Sequence, residues 1–158
     1  MSQVEERLHA LGHTVPEVVP PVASYVPAVR DGRHVYVSGQ LPLSAGTLAA
    51  TGTVGTGEGC VVPEQAAALA ELCALNAIAA CKSVIGDLDQ VERVVKLVGF
   101  VASESGFTGQ PGVINGASDL MKAAFGDAGA HARSAVGVAA LPLGAPVEVE
   151  AIFAIRES

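Results

Sequence analysis

The stretch Pro63 to Ile85 constrains this chain more than any other. It holds no Gly and no internal Pro, it opens on a Pro whose fixed φ suits a first helical turn, and Gly86 stands where a helix would stop. At about 100° per residue, Glu64, Gln65, Glu71, Asn76, Lys82 and Ser83 gather on one side, and Ala66, Ala70, Cys73, Ala77, Ala80, Cys81 and Val84 line the other. That stripe is almost entirely small, so the helix it predicts can lie close on a sheet, and Cys73 and Cys81 read as core thiols. The rest of the chain is built alike: 158 residues include 27 Ala and 18 Gly, against 4 Phe, 2 Tyr and no Trp. A core of such small side chains depends on broad, close contact between layers rather than on a few bulky anchors.

Residues 3 to 11 predict a short helix closed by Gly12, after which Pro16, Pro20, Pro21 and Pro27 force extended or turning chain. Asp31-Gly32 separates Tyr25 to Arg30 from His34 to Ser38 and predicts an opening hairpin. Leu41 to Val62, with five glycines from Gly46 to Gly59, reads as loop. Val91 to Ala102 predicts a long strand. Val113 to Phe125 predicts a second helix with Ile114, Ala117, Leu120, Met121 and Ala124 on its apolar face and Gly126 as its stop. Ser134 to Ala140 and Val147 to Ile155 predict two strands joined as a hairpin through Leu141 to Pro146. The order β-β-α-β-α-β-β, without repeats, predicts one α+β domain over residues 1–158, with two helices on one face of a mixed or antiparallel sheet. In the last strand Val147, Val149, Ala151, Phe153 and Ile155 face one way, and Glu148, Glu150, Ile152 and Ala154 the other. This second row is only half polar, which predicts that self-association covers the sheet face without helices.

Several functions are disfavoured. Nine basic against 16 acidic residues, a net charge of -7 and few aromatics argue against a phosphate-tracking or base-stacking surface, so no nucleic-acid partner is expected. The uncharged run His34 to Gly57 is broken throughout by Gly, Pro, Ser and Thr, so no membrane partner is expected either. The opening MSQVEERLHALG lacks the basic start and apolar stretch of a secretory signal, which leaves the cytoplasm as the expected location. Cys60, Cys73 and Cys81 form no CxxC pair, and His9, His13, His34 and His131 show no ligand spacing; free thiols in a reducing compartment and no metal are expected. The glycine loop Thr51 to Gly59 lacks the GK[ST] ending of a P-loop, and no GxSxG elbow marks a nucleophile.

The segment from Arg133 to Ile152 stands above this background. One Arg lies at the mouth of an apolar strand, and Glu148 and Glu150 share a face of the next. Arg is suited to bidentate capture of a small carboxylate, and a Glu in an apolar setting can hold and polarise a water. On residue types alone, a structural ion pair is the simpler reading.

The pattern R-S-x-V-x-V-x-x-L-P-x-x-x-x-V-E-V-E-A-I, starting at Arg133, closely resembles the signature of the Rid family, the reactive intermediate deaminases formerly called YjgF. Tyr25-Val26-Pro27, the run Val35 to Pro42, Asn76-Ala77 and Asn115 agree in order, and the match runs from Val22 to Ile155. The resemblance implies a chorismate-mutase-like fold assembled as a homotrimer with sites in the clefts between subunits, and no metal or organic cofactor. It implies hydrolysis of enamine and imine intermediates such as 2-aminoacrylate to 2-keto acids and ammonia. By position, Arg133 would clamp the substrate carboxylate, Glu148 would orient the attacking water, and Tyr25, Ser38, Gly39 and Asn115 would line the pocket. A trimer that binds small carboxylates without turnover is the alternative, with an endoribonuclease, a label some members carry, a distant third. Ala135 departs from the Cys of many members, the Leu43 to Val62 loop and the Ser103 to Pro111 stretch are longer than in compact members, and residues 1 to 15 look like an added segment.

A tight terminal hairpin would set Glu148 opposite Val138 and leave Arg133 about 17 Å further along. Two side chains of one chain would then not reach one small molecule. Either the register differs, or neighbouring subunits complete the site.

Overall fold

The computed structural model of the chain describes residues 1–18, 20–21 and 23–157. Val22, where the family resemblance begins, lies outside the described residues. In chain order the elements are α1 (Gln3–Ala10), β1 (Ala28–Asp31), β2 (His34–Gln40), the short ribbon β3 (Leu43–Ser44) and β4 (Thr47–Leu48), α2 (Pro63–Ile85), β5 (Val91–Ala102), α3 (Gln110–Phe125), β6 (Ala132–Val138) and β7 (Val147–Ile155). Five strands form one sheet in the order β1-β2-β7-β5-β6, and both long helices pack on the same face of it. The architecture is α+β, as the order of elements predicts.

The expected terminal hairpin is not formed. β6 runs parallel to β5 on the sheet's outer edge, with Leu97 beside Arg133 and Ala102 beside Val138. β7 instead enters antiparallel between β2 and β5. Two features decide this. α3 carries the chain from the end of β5 back to its start, so the strand after it lies parallel to β5, as in any β-α-β crossover. β7 has a continuous buried row, Val147, Val149, Ala151, Phe153 and Ile155, which belongs in the middle of the sheet beneath the helices. The link between the two strands crosses the end of β5, where Ala102 N donates to Pro146 O at 2.9 Å.

Small side chains bring the layers together, at places the helix stripe alone did not indicate. A Cβ on Gly116 of α3 would lie 1.9 Å from the Ala67 carbonyl oxygen of α2, so the two helices meet backbone to backbone. A Cβ on Gly99 of β5 would lie 2.5 Å from the Ile114 side chain, which settles into that gap. Within α2 the expected stripe is buried from Ala66 to Cys81, joined by Leu69, Leu75 and Ile78, while Val84 in the last turn is exposed. α2 is long and apolar enough by composition to cross a bilayer, yet its apolar surface is spent against β2, β7 and α3.

The first helix is tied to the body. Ser2 caps it in a capping box with Glu5, Val4 and Leu8 are buried, and Asp89 accepts from Gln3 N and Val4 N at 2.9 and 3.2 Å. Among the described residues no helix packs on the other face of the sheet. Val29 and Tyr36 are exposed there beside Lys96 and Glu150, around a concavity of about 310 Å³, and Val136 is exposed on the edge strand.

Candidate functional site

Glu148 lies on β7 opposite Phe100 of β5, on the face turned away from the helices. Between the pairs Val37–Ala151 and Gln40–Val149, Ser38 and Gly39 together oppose the single residue Glu150, a β-bulge that breaks the regular alternation of β2. The bulge presents the Gly39 backbone to the Glu148 carboxylate. A Cβ at Gly39 would stand 2.5 Å from Glu148 Oε1 and 2.8 Å from its carboxyl carbon, so only Gly leaves room for it. Burial, and secondarily the like charge of Glu150, pushes the Glu148 carboxyl above its ordinary value.

The segment before β1 joins this cluster through Ser38. Its hydroxyl donates to Val26 O at 2.7 Å and its amide donates to Pro27 O at 2.9 Å, which holds Tyr25 beside the bulge. Tyr25 and Gly39 share a cavity of about 200 Å³ with Gln40, Leu41 and Asn76. Asn76 is structural here: its amide donates to Leu41 O and Leu43 O, both at 3.0 Å, and fixes the chain leaving β2.

Arg133 opens β6 on the opposite face, beside the buried Leu97 and beneath α3. Its Nη1 donates to Asn115 Oδ1 at 2.8 Å and to Ser118 Oγ at 3.0 Å, and its Nη2 donates to Pro111 O at 3.1 Å. A guanidinium carries five N–H donors, so two remain, the number a carboxylate accepts in bidentate fashion. Asn115 and Ser118 are three apart on α3 and so share a helix face.

Tyr25, Ser38, Gly39 and Glu148 therefore form one cluster, and Asn115 and Arg133 another. Within one chain the clusters do not join, because Arg133 and Glu148 sit two strands apart in the sheet and on opposite faces. Ser118 and His131 were not singled out in sequence. The usable signal was a pair of spacings, Asn115 three before Ser118 on α3 and His131 two before Arg133 at the entry to β6. Among the described residues no three His, Cys, Asp or Glu side chains converge as metal ligands.

Comparison with known proteins decides the family. The profile described as "YjgF/chorismate_mutase-like, putative endoribonuclease" matches residues 5–154. The chain belongs to the YjgF, or Rid, family. It is 46% identical over 155 residues to Protein TCP17 of Trypanosoma cruzi, covering 98% of this chain and 95% of that one. The crystal structure of Atu1372 from Agrobacterium tumefaciens, a protein of unknown function, matches at 46% identity and TM-score 0.89 over 98% of this chain and 93% of that one. The E. coli TdcF structure with bound serine matches at 27% identity and TM-score 0.60 over 89% and 94%. The chorismate-mutase-like fold expected of the family is thus present.

Proposed function

We propose that this protein hydrolyses reactive enamine and imine intermediates of small 2-keto acids, of the 2-aminoacrylate kind, in sites shared between the subunits of a homotrimer. The observation that carries the reading is the Arg133 guanidinium, fixed by three hydrogen bonds with two donors left for a carboxylate. Serine bound to the relative TdcF supports it, since serine carries the same carboxylate on a three-carbon frame. The trimer would cover the apolar sheet face and bring the Glu148 cluster of one subunit to the Arg133 cluster of the next.

In the reaction water adds across C=N, the C–N bond of the resulting carbinolamine breaks, and a 2-keto acid and ammonia leave. An imine is already electrophilic, so the protein has chiefly to orient its reactants. Arg133 would hold the carboxylate in two hydrogen bonds. Glu148 would take a proton from the attacking water and pass one to the leaving nitrogen, a role suited to a carboxyl whose proton affinity burial has raised. Tyr25 and the Ser38–Gly39 bulge would wall the pocket. The three free cysteines accord with a reducing, cytoplasmic setting.

With 2-aminoacrylate generated in situ, wild type is expected to speed 2-keto acid release, and Arg133→Ala to lose that effect through a KM raised about 100-fold. Arg133-dependent binding without any acceleration would favour the non-catalytic carboxylate binder instead. The family description also carries an endoribonuclease label, which a net charge of -7 disfavours.

A further inference from the structure

Ser118 is one of two buried polar side chains among the described residues, only 5% exposed on α3. Its hydroxyl stands between two groups, His131 Nε2 at 2.8 Å and Arg133 Nη1 at 3.0 Å. The direction of each bond follows from chemistry. His131 Nδ1 lies 2.6 Å from the Gly129 carbonyl, which can only accept, so Nδ1 carries a proton, and in the neutral ring Nε2 is the lone-pair nitrogen. Ser118 must then donate its single proton to Nε2, and its oxygen is left to accept from the guanidinium. With the ring neutral, each member of the chain Gly129–His131–Ser118–Arg133 has one role.

The chain is anchored at its far end. A Cβ on Gly129 would lie 2.3 Å from the Met121 carbonyl oxygen and 2.8 Å from Lys122 Cα, so the link between α3 and β6 is pressed against the helix backbone. The carbonyl that orients His131 is thereby fixed to the same helix that carries Ser118 and Asn115. α3 thus meets the guanidinium directly at Pro111 O, Asn115 and Ser118, and His131 holds the Ser118 hydroxyl from its other side.

From this geometry we infer that Ser118 and His131 are positioning residues for Arg133, setting the plane in which its two remaining donors meet a substrate carboxylate. The inference rests on the proposed carboxylate-clamping role of Arg133 and adds two residues that do not themselves touch substrate. With Ser118 removed, one Nη1 proton and His131 Nε2 both lose their partner. The guanidinium then pivots about Asn115 and Pro111, and the bidentate geometry is lost. The effect falls on binding more than on the chemical step, which depends on the water held at Glu148.

The test measures KM and kcat for 2-aminoacrylate hydrolysis, and pyruvate affinity, in the full-length chain. Ser118→Ala and His131→Leu are expected to raise KM and weaken pyruvate about tenfold, with kcat within about twofold. His131→Gln, whose amide offers a donor nitrogen and an acceptor oxygen, is expected to recover most of the loss. ¹⁵N NMR of the wild-type ring is expected to show the proton on Nδ1, and Ser118→Ala to shift the Nε2 signal. If Ser118→Ala misfolds, the His131 pair carries the test alone. Wild-type KM in His131→Leu, alongside a raised KM in Arg133→Ala, would overturn the inference and leave the proposed function standing. Wild-type KM in Arg133→Ala would overturn both.

Discussion

Around Arg133 stand three hydrogen-bond acceptors, Asn115, Ser118 and the Pro111 carbonyl, whereas Glu148 lies against a missing side chain, at Gly39. Among the described residues no hydrogen bond stabilises the Glu148 carboxylate; its proton affinity is set by burial and by Glu150. One half is therefore held by satisfied polar contacts and the other by shape and electrostatic discomfort. Satisfied contacts stabilise a fold, whereas an unpartnered, partly buried carboxylate costs stability and is retained for what it does. The two halves should fail in different ways.

The largest effect is expected from adding one carbon. Gly39→Ala drives a methyl group into Glu148, so keto-acid release should fall about 100-fold while the melting temperature changes little, because the carboxylate can swing away. Calorimetry and a rate measurement on the same sample check this. A fully active Gly39→Ala would mean that Glu148 is not held at the bulge.

Stability separates the halves next. Glu148→Gln removes a charge that the folded state disfavours, and Arg133→Ala deletes three hydrogen bonds. The first should raise the melting temperature by about 2–4 °C at neutral pH, and the second lower it by about 3–6 °C, while keto-acid release at low substrate falls in both. The sign follows from the raised Glu148 value: its folded form prefers the proton, so its contribution is favourable in acid and is lost as pH rises through that raised value. The advantage of Gln should accordingly vanish below the ordinary carboxylate range. Equal losses of stability in both variants would erase the distinction.

The smallest effect concerns Glu150. Since its charge raises the Glu148 value only secondarily to burial, Glu150→Gln should move the acid limb of the pH–rate profile slightly toward lower pH, where a Glu148 acting as base ionises sooner. A shift toward higher pH would contradict the role given to the pair.

How much of this was legible in the sequence differs between the same two regions. The alternation of Val147 to Ile155 assigned Glu148 and Glu150 to one face, because a strand half-covered by helices writes its burial directly into a period of two. The pairing of that strand was not legible. Consecutive strands often pair, and nothing in Leu141 to Pro146 says that α3 has already placed β6 parallel to β5 on the outer edge. The terminal signature named Arg133 but not the side chains that hold it. His131 looked like one of four scattered imidazoles, and Ser118 like any polar residue on a helix, because their partnership exists only once α3 folds over β6. The Gly39 contact was equally silent: a glycine's reason is the atom that would collide with its absent Cβ, and that atom is 109 positions away in Glu148.

The central claim is that one subunit's Arg133 works with another's Glu148, and mixing two impaired variants tests it most directly. Arg133→Ala and Glu148→Ala chains are co-assembled in equal amounts, with mixed trimers verified by native mass spectrometry, and keto-acid release is measured. A symmetric trimer with shared sites assembles one intact Arg133–Glu148 pair in every mixed particle, so about a quarter of wild-type activity should return. Mixed trimers as inactive as either parent would contradict the account.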